Sequence, residues 1–196
     1  MPKLFYQGHG SFRLQADDGR VIYVDPYVGE GYNLPADFIL SSHAHDDHNQ
    51  MHLCAKKPNC IIITQDEALA GGVHNKFDFG SIQIEAVEAQ NINHDPKECV
   101  GFIITIDGVK LYASCDTSKT EQMSSFAERK LDYAIVCADG VYNMDLEEAA
   151  ECARIIGAKH NIIIHLNPEA IFDRERAEAC DAPNKIIIEP EQEMSL

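Results

Sequence analysis

The sequence predicts an α/β chain in which two sheets pack face to face with helices outside. Two observations carry this. Short apolar runs bounded by Gly, Pro, Asn or Asp recur along the 196 residues, as strands do. Among them lie segments with apolar residues at helical spacing, and both halves run from strands to mixed strand and helix. No repeat or linker divides the chain, and 45% hydrophobic content is enough for one substantial core, so a single domain spanning 1–196 is expected.

Residues 3–15 alternate through Leu4, Tyr6, Phe12 and Leu14, broken by Gly8-His9-Gly10. A second strand, VIYVD (21–25), follows the turn Asp17-Asp18-Gly19, and Pro26 ends it because proline cannot donate to a ladder. Phe38 to Leu40 read as the end of a buried strand, and 47–55 as a short helix after it. Cys60 to Thr64 form a β-branched strand, followed by a helix through 67–70 that stops at Gly71-Gly72. Strands near 76–79 and 81–88 close the first half.

The second half opens with GFIITIDGVKLYASCD (101–116), two apolar runs joined by the hairpin signal Asp107-Gly108. Residues 119–129 are expected to be helical, and LDYAIVCAD (131–139) is another buried strand. Leu146, Ala149, Ala150, Ala153 and Ile156 repeat at helical spacing up to Gly157. The strand NIIIH (161–165), a helix over 169–180 and a last strand KIIIE (185–189) complete the pattern.

The chain is organised around FILSSHAHDDH (38–48), where an apolar run stops at three histidines and two aspartates. His43, His45, Asp47 and His48 all suit a divalent transition metal. Two apart in extended or loop backbone, His43 and His45 can project to one side, while Asp47 and His48 can turn to a neighbouring position, so one loop could feed two adjacent metals. Asp46 is instead a helix cap or solvent-facing residue. Three further ligand-type side chains stand where an apolar strand gives way to a loop: His94 in NINHDP, Asp116 at the end of LYASCD, and His165 at the end of NIIIH. His9 and Asn143 are site candidates or turn residues. The glycines flanking His9 allow close backbone approach to a ligand, and Asn143 lies between a strand and a helix. His52, His74 and His160 lack such company and are expected at the surface.

With 32 acidic against 16 basic residues the formal charge is −16, and no Lys/Arg run is present, so a nucleic-acid partner is disfavoured. No window approaches a membrane span and MPKLFYQGHG lacks the apolar stretch of a signal peptide, so a cytoplasmic protein is expected, without membrane partners. Seven cysteines, an odd number without a CxxC pair, read as reduced packing residues; Cys115, although next to Asp116, is read in the same way.

HxHxDH after an apolar strand resembles the signature of the metallo-β-lactamase superfamily of metal-dependent hydrolases. The resemblance extends through GHGSF (8–12), VIYVDPY (21–27), His94 followed by Gly101-Phe102, Asp116-Thr117, and GVYNMDLEEAA (140–150) before His165. It is nearest to the compact hydrolases that include L-ascorbate-6-phosphate lactonase. Histidine at position 45 departs from the diiron flavoproteins, which usually carry Glu there. The resemblance implies a four-layer αββα sandwich with its site at one edge between the sheets. It also implies that His43, His45 and His94 hold one metal and Asp47, His48 and His165 the other, with Asp116 bridging. In this family an Asp-Pro strand end brings its carboxylate behind the histidine loop. Asp25 would then accept from a ligand imidazole; otherwise it only starts a turn.

The expected function is a binuclear metal-dependent hydrolase of a small ester, lactone or phosphodiester, using a metal-bound hydroxide that Asp47 helps to orient. Zinc suits the histidines best, and manganese or iron also suits the carboxylates. The substrate would be a small molecule, and an anionic one is compatible with the field of the metals. The competing readings are a non-catalytic metal-binding or regulatory protein that retains the fold and, third, a nuclease. Few insertions remain in so short a chain to build a substrate lid.

Overall fold

In the computed structural model, which describes Met1–Leu196, the opening alternation becomes a hairpin of Lys3–Gly8 (β1) and Ser11–Gln15 (β2). Its register sets Leu4 opposite Leu14 and Tyr6 opposite Phe12, so all four point into the same core. Val21–Val24 (β3), Ala36–Leu40 (β4) and Lys56–Ile63 (β5) extend the sheet, and Glu193–Ser195 (β13) pairs antiparallel with β1 at the opposite edge. Pro58 is tolerated because it lies in the irregular stretch between Lys56 and Ile61 of the edge strand β5, a stretch without register partners on β4.

The second sheet contains Lys76–Asp78 (β6), Ile82–Glu88 (β7), Val100–Ile106 (β8), Val109–Ala113 (β9), Tyr133–Cys137 (β10), His160–Ile164 (β11) and Lys185–Ile186 (β12), lying in the order β12-β11-β10-β9-β8-β7-β6. Asp107 and Gly108 both take positive φ at the β8–β9 turn, as the Asp-Gly signal requires. A core of 27 buried residues from both sheets lies between them. A second, of 21, lies between the outer face of this sheet and the helices. Only five buried residues form the cluster outside the first sheet, so the helical layer there is thin. The arrangement is the predicted sandwich of two sheets with helices outside.

Helix Leu146–Ile156 (α2) follows its sequence signals closely: the Asp145 side chain caps the Glu148 N–H, and Gly157 closes it in the left-handed region. Gln65–Ala68 (α1) begins in a capping box between Thr64 and Glu67.

Two expected helices are shortened because their backbone is bound elsewhere, and a third changes type. Within 47–55 only a 3₁₀ turn at Met51–Leu53 forms, because the His48 carbonyl accepts from Ser41 and the Gln50 N–H is donated to Pro26. Residues Glu121–Arg129 are 3₁₀ rather than α. Ser124 and Ser125 hydroxyls donate to the carbonyls three residues back, and Thr120 provides no side-chain cap. Within 169–180 only Arg174–Ala179 (α3) is helical, because the Ile171 carbonyl accepts from the His9 N–H. KIIIE pairs only over β12, and β13 was not expected at all.

What positions the site is strand direction. β3, β4 and β5 run parallel, as do β9, β10, β11 and β12. Carboxyl ends within each set therefore share an edge, where open α/β sheets place their ligands. The His165 N–H donates to the His9 carbonyl (2.9 Å) and the Val100 N–H to the Ser42 carbonyl (3.1 Å), joining the two sheets there.

Candidate metal centre

The side chains in the cluster stand on loops that leave strand ends, His94 on the longer loop after β7. Asp25 follows β3, His43 to His48 follow β4, and Asp116, Asp139 and His165 follow β9, β10 and β11. His9, Asp25, Cys115 and His165 all have positive φ between 46° and 54°. Such strained backbone at four strand exits marks a functional edge. Gly10 has to be glycine: a Cβ there would lie 2.9 Å from the His48 ring and 3.4 Å from that of His165.

The seven predicted metal-binding side chains come together. His43, His45 and His94 form one group whose donor atoms all lie within 4.8 Å of one another, and His48, Asp116 and His165 form another. Asp47 joins His43 and His48, and separately His9 and His165. Asp116 turns one carboxylate oxygen to each side: Oδ1 is 3.3 Å from His48 Nε2 and 3.8 Å from His165 Nε2, while Oδ2 is 3.6 Å from His94 Nε2. Asp47 Oδ2 lies 3.7 Å from both His48 Nε2 and His165 Nε2.

Outer partners fix the imidazole orientations. His48 Nδ1 donates to Asp25 Oδ2 at 2.9 Å. The Ser42 hydroxyl also donates to that oxygen, so its Oγ is left to accept from His43 Nδ1 at 2.9 Å. Asn91 donates its amide to the Tyr142 carbonyl, and its Oδ1 accepts from His94 Nδ1 at 2.8 Å. Asp139 Oδ2 faces His165 Nδ1 at 3.3 Å. With Nδ1 of His43, His48 and His94 hydrogen-bonded outward and that of His165 facing Asp139, the four histidines turn Nε2 inward. Asp25 is thus behind the histidine loop, not merely at the start of a turn.

Except for His43 Nε2, which lies 3.0 Å from His45 Nδ1, the inward atoms lack partners of their own. His48, His94 and His165 Nε2 and Asp116 Oδ1 are all buried without a hydrogen bond, a costly arrangement unless something fills the space between them. Neutral nitrogens and carboxylate oxygens are the donor set of a divalent transition ion, so the residues fit such a group. Burial holds the His43 imidazole down at about 3 and lowers that of His94, keeping both neutral. Burial also opposes charge on His48, but Asp116 and Asp25 outweigh it and hold this imidazole well above its usual value. Burial would raise the Asp116 carboxyl; His48 and His165 outweigh that and hold it far below the carboxylate range. Asp47 is likewise held low, mainly by His165 and His9 against its partial burial.

The remaining candidates separate. His9 is buried, packs its ring 3.7 Å from that of His165 and brings Nε2 within 3.4 Å of Asp47 Oδ2. Asn143 does not turn its amide to the cavity: Nδ2 donates to Asp139 Oδ2 at 2.7 Å. The neighbouring Tyr142 lines the cavity with His45, Asp47, Asn93, His94 and Asp116. Asp46, His52 and His160 are exposed and His74 is half-buried, all outside these groups. Cys115 packs in the central core. Asp139 was not among the predicted residues, although it ends AIVCAD just as Asp116 ends LYASCD.

The Beta-lactamase superfamily domain matches residues 3–165. The chain belongs to that superfamily. Within it, the chain is 27% identical over 188 residues to a UPF0173 metal-dependent hydrolase of Natranaerobius thermophilus, an alignment covering 84% of this chain and 83% of that protein. It is 28% identical over 191 residues to a UPF0173 metal-dependent hydrolase of Alkaliphilus metalliredigens, covering 84% and 85%. Among solved structures, the superfamily fold is shared with Igni18, a metallo hydrolase from Ignicoccus hospitalis, at a TM-score of 0.76 and 20% identity over 98% of this chain and 97% of that one.

Proposed function

We propose that this superfamily member is a hydrolase that uses two divalent ions to add water to a small-molecule ester, lactone or phosphodiester, zinc suiting its histidines best and manganese or iron its carboxylates. The observation that carries the reading is the convergence of buried, unpartnered His48, His94 and His165 Nε2 with Asp116 Oδ1. The similar UPF0173 proteins are named metal-dependent hydrolases, in agreement with it. His43, His45 and His94 would hold one ion, Asp47, His48 and His165 the other, and Asp116 would serve both. Ions so held lower the pKa of water towards neutrality and polarise the bond to be cleaved.

The chain's own residues supply the rest. Asp47 stays anionic, is partly open to the cavity and is positioned to orient water. His9 fixes Asp47 from behind, and Asn143 acts one step further out by holding Asp139 against His165. Asp25 and Ser42 keep two imidazoles turned inward. The adjoining cavity, beside His43, His45 and His94, is lined by Asp66, Asp95 and Glu98 and by no lysine or arginine. An anionic substrate would therefore be held by the ions alone, and a polyanion is disfavoured.

We place the chain, as one domain, nearest the L-ascorbate-6-phosphate lactonase-like hydrolases on the strength of GHGSF, VIYVDPY and GVYNMDLEEAA. A cytoplasmic setting accords with seven free cysteines, six of them buried, and no helix is long and apolar enough to cross a membrane. A single turnover of an aryl ester or phosphodiester in heavy-oxygen water tests the reaction. The label should enter the product directly; label arriving first in a protein side chain, or activity that survives complete chelation, would exclude the mechanism.

A further inference from the structure

The mouth of the site is built from two loops that the fold ties to each other and to the buried histidines. Asp139 Oδ1 accepts from the N–H groups of Val141 (2.6 Å), Tyr142 (2.7 Å) and Asn143 (3.2 Å), fixing the loop after β10. The Tyr142 carbonyl then accepts from Asn91 Nδ2 at 2.8 Å and from Asn93 Nδ2 at 3.4 Å, fixing this loop to the one that carries His94. Asn91 and Asp139 are the same residues that face His94 Nδ1 and His165 Nδ1. The rim therefore has its position set by the groups that orient the candidate metal-binding imidazoles.

On this rigid rim the exposed side chains are apolar. Ile92 is 98% exposed between the two clamping asparagines, Val141 is 62% exposed and Tyr142 52%. Half-exposed aromatic rings on fixed backbone lose little entropy on binding and offer an apolar face with a polar tip. Tyr142 also lines a cavity of about 180 Å³ with His45, Asp47, His94 and Asp116. Tyr142 thus stands beside the candidate metal ligands, and nothing else lining that cavity is apolar.

We infer that Tyr142, flanked by Ile92 and Val141, is the specificity-determining residue of this site, and that the substrate carries an apolar or aromatic group next to its hydrolysed bond. The inference rests on the hydrolytic reading above for the bond but not for the binding face. It selects, among the ester classes, those with a hydrocarbon or aryl substituent over small, fully polar ones.

Binding of phenylphosphonate and methylphosphonate to the zinc-loaded protein, followed by titration calorimetry, tests it without turnover. Both carry the same metal-binding head, so only the substituent differs. The wild-type protein should prefer phenylphosphonate by about five- to tenfold, the upper part of what one aromatic contact supplies. Tyr142→Ala should reduce the preference to less than about twofold with unchanged zinc content, and Tyr142→Phe should restore it. Ile92→Ser, at a side chain with nothing packed on it, should lower phenylphosphonate affinity alone. Equal affinities in the wild type, a preference that survives Tyr142→Ala, or binding of neither anion at millimolar concentration would each overturn the inference. Discrimination without turnover of any ester, lactone or phosphodiester would instead defeat the hydrolytic reading and leave the role of Tyr142 standing.

Discussion

His48 Nδ1 lies 2.9 Å from Asp25 Oδ2, and both side chains are almost wholly buried. The same oxygen accepts from the Ser42 hydroxyl, through which it also governs His43. Asp25→Asn should therefore disturb two imidazoles at once, because an amide can present N–H where both neighbours need an acceptor. Zinc affinity, measured by competition with a chromophoric chelator, should fall about 10- to 100-fold. Wild-type affinity in a folded Asp25→Asn protein would show that the carboxylate only starts a turn.

Asp116 is the carboxylate that faces both histidine groups. Asp116→Ala should abolish turnover while the metal-loaded protein retains most of its thermal stability, since both sets of histidines remain. Melting and activity are to be measured on one sample. Loss of folding in step with loss of activity would make Asp116 a structural residue.

Metal uptake should release protons. Between Asp116 and Asp25 the metal-free His48 imidazole is held well above its usual pKa, so at neutral pH a proton occupies the Nε2 that an ion needs. His43, held at about 3, has none to lose. Affinity should accordingly rise as pH rises from 6 towards 8, and calorimetry in buffers of different ionisation enthalpy should report proton release. Uptake that is independent of pH over this range contradicts that assignment.

Asn143→Ala distinguishes support from substrate contact. Loss of its 2.7 Å donation leaves Asp139 short of a buried partner, which should cost about 1–3 kcal/mol of stability in denaturant unfolding. KM should move little compared with kcat. A raised KM at unchanged stability would restore Asn143 to the substrate surface.

Much of this arrangement was legible in the chain because its chemistry sits at strand ends. An apolar run that stops at His43, Asp116 or His165 announces both the buried strand and the loop that leaves it. Asp139 carried the same mark but lacked a place in the ligand pattern, and its role depends on His165, 26 positions away. Helix ends were less legible where loop carbonyls serve the site: Ile171 accepts from His9, a contact with no local signature. Nothing local marks β13, because residues 193–195 form a strand only through pairing with β1. Asn143, legible as a site candidate or a turn residue, supports Asp139 instead, while Tyr142, which has no ligand-type signal in the sequence, lines the cavity.

The proposed reaction needs two ions acting together. Metal-free protein is to be titrated with zinc, with bound ions per chain and hydrolysis of an aryl phosphodiester followed in the same samples. Activity should stay near background through the first equivalent and rise with the second, reaching its plateau at two ions per chain. Full activity at one ion, or a stoichiometry that never exceeds one under saturating zinc, would rule out a two-ion reaction.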